Sequence, residues 1–161
     1  MQETQNKRYK RVKTPTLIQM EATECGAASL GIILSYHNLF VTLEELREKC
    51  GISRDGSKAS NVLKAARGYK MEAKGFRYEP AELKYIKYPV IIHWNFNHFL
   101  VLEGFRGDKV YLNDPAEGPR VVSYEEFNES FTGIVLTFEP TPDFKPGGRK
   151  KSMFRAMIKR L

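Results

Sequence analysis

The sequence predicts an α+β fold, with N-terminal helices packed on a C-terminal antiparallel sheet. Apolar residues recur at helical spacing as far as Gly68 and at a period near two from Met71 onward. Helices come first and strands second, which argues against an alternating nucleotide-binding sheet. The 161 residues, 42% apolar and 28% charged, suffice for one domain with a buried core and short appendages.

Taken in order, the first helix is expected over 25–36 behind Thr23 as N-cap. Its faces are nearly all apolar or small, so it should run through the centre of the core. The second opens on Thr42-Leu43-Glu44-Glu45, a capping box, and closes at Gly51, with Leu43, Leu46 and Cys50 turned inward. A third is expected over 60–67, stopped by Gly68, and a short fourth from Pro80, a residue suited to the first helical position. Strands are expected at 71–78, 90–94, 99–103, 110–113, 120–122 and 134–138. A helix over 124–130 interrupts them, with its capping box at Ser123-Tyr124-Glu125-Glu126.

The net charge of +7 is unevenly spread. Residues 1–13 form a basic arm of net charge +4, residues 145–161 carry +7, and the body between them is −4. A phosphate-neutralising groove belongs in the folded body, so nucleic acid is not an expected partner. Basic tails fit a membrane surface, an anionic partner or a solvated end. The globular part is placed at 14–140. Behind it, 141–161 reads as a Pro/Gly linker followed by a basic amphipathic helix carrying Phe154, Met157, Ile158 and Leu161. Such a helix suits a membrane surface, and its interruption at the last residue suggests a piece of a longer protein.

No apolar run reaches the ~18 residues of a membrane-spanning helix. The polar, basic N-terminus is not a secretory signal. Cys25 and Cys50 are too few for a disulfide framework and fit a reducing compartment. With His37, His93 and His98 they form no paired zinc-ligand spacing, so no metal is expected.

Cys25, at the start of the first helix, sits where the helix dipole favours a thiolate, and Gly26, Ala27 and Ala28 would let a substrate backbone approach. A small buried hydrophobe is an equal reading at that position. Leu100, Leu102, Val110 and Leu112 flank a turn at Phe105-Arg106-Gly107. A three-residue loop there would set Leu102 opposite Val110, Leu100 opposite Leu112 and His98 opposite Asp114. A carboxylate then orients an imidazole, as a histidine base requires, although a structural polar pair fits the same spacing. Gln19, six residues before Cys25, could donate to an oxyanion. His93 reads as a packed strand residue, His37 as a cation at a helix end, and Cys50 as core.

Three blocks resemble one family: 19–30 (QMEATECGAASL), 88–102 (YPVIIHWNFNHFLVL) and 110–118 (VYLNDPAEG), followed in order by Glu126-Phe127 and Phe131-Thr132-Gly133. The resemblance, over about residues 14–140, is to the double-glycine cysteine peptidase domains of bacterial peptidase-containing ABC transporters. It implies a papain-like fold at the cytoplasmic face of the cell membrane. It also implies removal of bacteriocin- or lanthipeptide-type leader peptides after a Gly-Gly pair, coupled to export. Carried over, Cys25 is the nucleophile, His98 the base and acid, Asp114 the orienting group and Gln19 the oxyanion donor. Trp94 and Phe96, near His98, are candidate walls of a cleft too narrow for a Cβ. The partners implied are an amphipathic helical leader ending in Gly-Gly and the transporter's transmembrane and ATPase domains. ATP and magnesium are implied only at that ATPase, with no cofactor for the peptidase. The basic tail would lead into the first transmembrane span. Two other readings remain open: a non-catalytic leader-binding module, and another Cys-His-Asp acyl-transfer enzyme.

Overall fold

In the computed structural model of the chain, residues 7–51 and 58–148 are described. The amphipathic helix expected within 154–161 lies outside them. Three helices come first, α1 (Cys25–Tyr36), α2 (Leu43–Cys50) and α3 (Ala59–Gly68). Then follow β1 (Met71–Arg77), a 3-10 helix (Pro80–Tyr85), β2 (Val90–Trp94), β3 (His98–Arg106), β4 (Lys109–Asp114), β5 (Gly118–Ser123), α4 (Tyr124–Ser130) and β6 (Phe131–Pro140). The six strands form one antiparallel sheet in the order β1-β6-β2-β3-β4-β5.

Side chains alternate across a strand, so each long strand feeds two cores. Phe99 and Val101 of β3 join Leu30, Ile33 and Leu34 of α1 on the helical side. Leu100 and Leu102 join Leu112, Trp94 and Phe127 on the other, under α4 and the 3-10 helix. α1 is buried along almost its whole length. The Thr42 hydroxyl caps α2 by accepting from the Glu45 N–H at 3.2 Å, and Ser123 does the same for α4 from Glu126 at 3.1 Å. α1 departs from expectation at its start. A 3-10 turn, Ala22–Glu24, precedes it, so Glu24 and not Thr23 takes the cap position. The segment from Pro80 is also 3-10 rather than α-helical.

The β3–β4 hairpin differs from the expected one at two places. Its loop is Gly107-Asp108, closed by Arg106↔Lys109, and Gly107 at φ +60° takes the first turn position, as a type II′ turn requires. A bulge then intervenes between Leu102↔Leu112 and Gly104↔Tyr111. The register shifts by two residues overall. Val101 lies opposite Asn113, so Asp114 is level with Leu100, and His98 stands diagonally across from it. An even shift keeps both on one face, within reach of longer side chains.

Residues 7–19 run along the sheet rather than away from it. Val12 N–H donates to the Glu103 carbonyl at 2.9 Å, and the Arg11 guanidinium lies 3.9 Å from the centroid of the Tyr111 ring. The buried Glu103 carboxylate accepts from the Thr14 N–H and hydroxyl, both at 2.7 Å. Gly104, at φ +142°, makes this passage possible, because a Cβ there would lie 2.7 Å from the Arg11 Cα. Residues 141–148 are docked too, and a flexible linker does not begin at 141. Gly147 N–H donates to Asn38 at 3.0 Å, its carbonyl accepts from Phe40 N–H at 2.8 Å, and Phe144 packs on the helical-side core.

Candidate active site

The start of β3 and the end of β4 are neighbours at one edge of an antiparallel sheet, and the N-terminus of α1 stands over that edge. Ser29, one turn into α1, donates its hydroxyl to the Phe99 carbonyl at 3.3 Å and pins the helix there. Cys25 Sγ in turn accepts the Phe99 N–H at 3.4 Å, which seats the sulfur beside His98. Cys25 is 4% exposed, while the His98 side chain retains 18%, so the imidazole is the more open side of the pair.

His98 Nε2 lies 2.6 Å from Asp114 Oδ1, within charge-assisted hydrogen-bond range. Nδ1 is therefore the nitrogen left for the sulfur, the second hydrogen-bond partner of the ring. Burial by itself would lower the basicity of His98. The hydrogen bonds to Asp114 and Cys25, with the charges behind them, outweigh burial and raise the imidazole to about 9. Burial likewise works against the Asp114 carboxylate, yet the bonds from His98, the Ala116 N–H and Arg120 hold it below its ordinary range. Ala116 N–H donates to Oδ1 at 2.9 Å and Arg120 Nη1 to Oδ2 at 3.1 Å.

Gln19 reaches this edge through the docked N-terminal segment. Its N–H donates to the Pro115 carbonyl at 2.7 Å, one residue from Asp114. The Asn113 amide holds the same segment through Thr14 Oγ1 at 2.8 Å and the Pro15 carbonyl at 3.1 Å. Gln19 Nε2 spends one N–H on the Glu21 carbonyl at 3.1 Å, which leaves the other for a ligand. The loop from Gln19 to Cys25 closes on Glu24, buried at 1% exposure, whose Oε2 accepts the Met20 and Glu21 N–H groups at 2.8 and 3.3 Å. Arg47 of α2 neutralises it with Nε 3.0 Å from Oε1, although the N–H is not aligned for a hydrogen bond.

The two expected cleft walls part company. Phe96 is 82% exposed on the β2–β3 turn, beside His93 and two residues from His98. Trp94 is 4% exposed and packs on Phe127, so its ring faces the core and not the site. It stands directly opposite His98 in the β2–β3 pairing, yet its ring packs into the core on the α4 side instead of lining the site. His37 also differs from expectation. Burial and then Lys87 lower its basicity against Glu139, and its ring packs on Tyr36 and Phe144, so a neutral ring closes α1. His93 bonds the Thr132 hydroxyl at 3.1 Å, and Cys50 is buried with its thiol pushed up to about 11. Arg120, Glu24 and Arg47 carried no signal in the sequence. Arg120 could be found only by pairing β4 with β5, where Leu112↔Arg120 and Asp114↔Gly118 make it diagonal to Asp114. Among the described residues, no group of three or more His, Cys, Asp or Glu could hold a metal ion.

Comparison with known proteins gives this geometry a lineage. The model of the Peptidase C39 family matches residues 13–143. The chain is 34% identical over 133 residues to the colicin V secretion/processing ATP-binding protein CvaB of Escherichia coli, covering 83% of this chain and 19% of that protein. It is 28% identical over 148 residues to the transport/processing ATP-binding protein ComA of Streptococcus pneumoniae, covering 87% and 21%. The chain thus spans about a fifth of the length of the curated relatives it matches. Among solved structures, it superimposes on a double glycine motif protease from an AMS/PCAT transporter, in complex with the leader peptide. That match has a TM-score of 0.80 and 60% identity, over 81% of this chain and 94% of that one. The peptidase domain of Streptococcus ComA, at 22% identity, shares the fold with a TM-score of 0.75 over 78% and 97%. The fold is papain-like, and the chain belongs to the Peptidase C39 family.

Proposed function

We propose that this chain is a cysteine endopeptidase that removes leader peptides after a Gly-Gly pair, working beside the membrane and ATPase domains of an export transporter. The observation that carries the reading is the meeting of Cys25 Sγ, the His98 ring and Asp114 at one sheet edge, from residues far apart in sequence. With His98 raised to about 9, a cation stands beside the sulfur at neutral pH, and the thiolate is the attacking form. The thiolate attacks the carbonyl carbon of the second glycine. The oxyanion is received by the free N–H of Gln19 and the backbone N–H of Cys25 at the start of α1. His98 then protonates the leaving amine from Nδ1 as the C–N bond breaks. Water, giving a proton to His98, attacks the thioester carbon, so that the C–S bond breaks and the leader leaves with a free carboxyl group. Asp114 keeps Nε2 occupied throughout, so the ring always offers Nδ1 to the sulfur.

Every group in this scheme is a side chain or main-chain amide, so the reaction needs no cofactor. Ile18 and Met20, exposed on either side of Gln19, and Phe96 beside His98 offer apolar contacts to the residues flanking the cut. An amphipathic leader helix is the substrate form that uses such contacts over a long span. The names of the relatives, which pair processing with transport, support the export setting.

The test is mass spectrometry of a Gly-Gly leader substrate, with and without a thiol alkylator and with Cys25→Ala. New termini at the Gly-Gly site, lost on alkylation and in Cys25→Ala while the leader still binds, are expected. Cleavage by Cys25→Ala overturns the assignment. Adducts without new termini point to acyl transfer, and an unchanged substrate points to a binding module.

A further inference from the structure

We propose that Arg120 is a positioning residue, which locks the Asp114 carboxylate towards His98 and adds a fixed positive charge behind the Cys25–His98 pair. The inference rests on the peptidase reading above and concerns the same site.

Asp114 is 2% exposed and uses both oxygens. Oδ1 accepts from His98 Nε2 at 2.6 Å and from the Ala116 N–H at 2.9 Å, while Oδ2 is held by Arg120 Nη1 at 3.1 Å. Arg120 reaches it from β5, His98 from β3, and Asp114 lies on the strand between them, so the carboxylate is gripped from both sides. Arg120 is itself steered by Glu117, whose Oε2 lies 3.4 Å from its Nε. Without the guanidinium, Oδ2 would be a buried carboxylate oxygen without that partner, and only the bonds to Oδ1 would resist a turn about the last torsion. Arginine suits the position chemically. Its planar fork serves two carboxylates at once, and it never gives up its proton, so it cannot compete with His98 as acid or base.

Among the described residues, the charged and titratable groups that face His98 are Cys25 from α1, His93 from β2, Asp114 from β4, and Arg120 with Glu117 behind it. Removing Arg120 acts on the two ends of this set separately. A lost cation leaves a thiolate less stabilised, which moves formation of the thiolate–imidazolium pair to higher pH. A misaligned carboxylate stabilises the imidazolium less, which moves loss of the pair to lower pH. The pH window of the pair narrows, and its acid limb moves up.

The experiment measures alkylation of Cys25 against pH, resolved from Cys50 by peptide mass spectrometry, together with kcat and KM on a Gly-Gly peptide. Wild type, Arg120→Gln and Arg120→Lys are compared, with far-UV circular dichroism as the check on folding. In Arg120→Gln the acid limb of alkylation is expected to move up by about half a pH unit or more. Its kcat should fall by about tenfold, a fraction of what positioned proton transfer supplies, with KM within about twofold. Arg120→Lys should restore the acid limb, because the charge returns, but leave kcat about threefold low, because one ammonium cannot hold Asp114 and Glu117 together. An unshifted limb in folded Arg120→Gln overturns the proposal. Where glutamine leaves no folded protein, Arg120→Lys decides, and wild-type kcat in that variant overturns it. A limb that moves while even the wild type cuts nothing counts against the peptidase reading and leaves the positioning role standing.

Discussion

At the scale of single residues, one imidazole sets the chemistry through what its two nitrogens touch. His98 is raised from an ordinary 6.5 to about 9, and Asp114 is lowered from 3.8, so each prefers its charged form in the folded protein. The stability contributed by His98 is complete below pH 6.5 and is lost as pH rises through about 9. That from Asp114 is present above pH 3.8 and is lost as pH falls through its lower folded value. Both contributions coincide between about pH 4 and 6.5. Asp114→Asn should therefore destabilise the chain most near pH 5.5 and less near pH 10, where the bonds from Arg120 and Ala116 remain but His98 is neutral, as read from urea midpoints. A difference that does not vary with pH would show that the pair contributes through packing alone. Cys50, by contrast, is pushed up to about 11 by burial, and no cation among the described residues opposes that shift, so two cysteines of similar exposure have opposite chemical prospects.

At the scale of elements, the site depends on a hairpin and the segment that crosses it. The bulge at Glu103 and the two-residue turn at Gly107 together leave His98 and Asp114 on one face. The bulge also turns the Glu103 carboxylate towards Thr14 and brings Gly104 under Arg11. This crossing delivers Gln19 to the sheet edge. Gly104→Ala would force the chain and the Arg11 backbone apart, at a cost of about 1–3 kcal/mol. Hydrogen exchange at the Val12 and Thr14 amides should speed up first, with a lower kcat to follow as Gln19 loses its footing. Unchanged exchange at those amides would show that the segment does not need this close approach.

At the scale of the whole molecule, α1 spans the domain. Its first residue is Cys25, and its far end meets the strap of residues 141–148 at Asn38 and Phe40. Twelve helical residues extend about 18 Å, so the Gly147-Gly148 pair sits roughly that far from the sulfur. It is held there by backbone bonds on either side of Leu39. Self-cleavage is therefore disfavoured by position, although the dipeptide matches the proposed cutting site. Intact-mass measurement after prolonged incubation should show the full chain, whereas a product ending at Gly148 would mean that the strap releases and reaches a neighbouring molecule.

The residues by themselves determined much of this protein. The change of period after Gly68 gave helices before strands, the capping boxes at Thr42 and Ser123 gave two helix starts, and the blocks around Cys25, His98 and Asp114 gave the family. These signals are local, and local propensity and alternation act wherever the chain ends up. Only the tertiary structure decided the rest. It placed His98 diagonally and not squarely across from Asp114, turned Trp94 into the core, neutralised His37, docked Gly147-Gly148, and brought Arg120 to the far side of the carboxylate. A bulge, a diagonal contact between strands and a desolvated ring are properties of neighbours distant along the chain, and no pattern of spacing within a single segment encodes them.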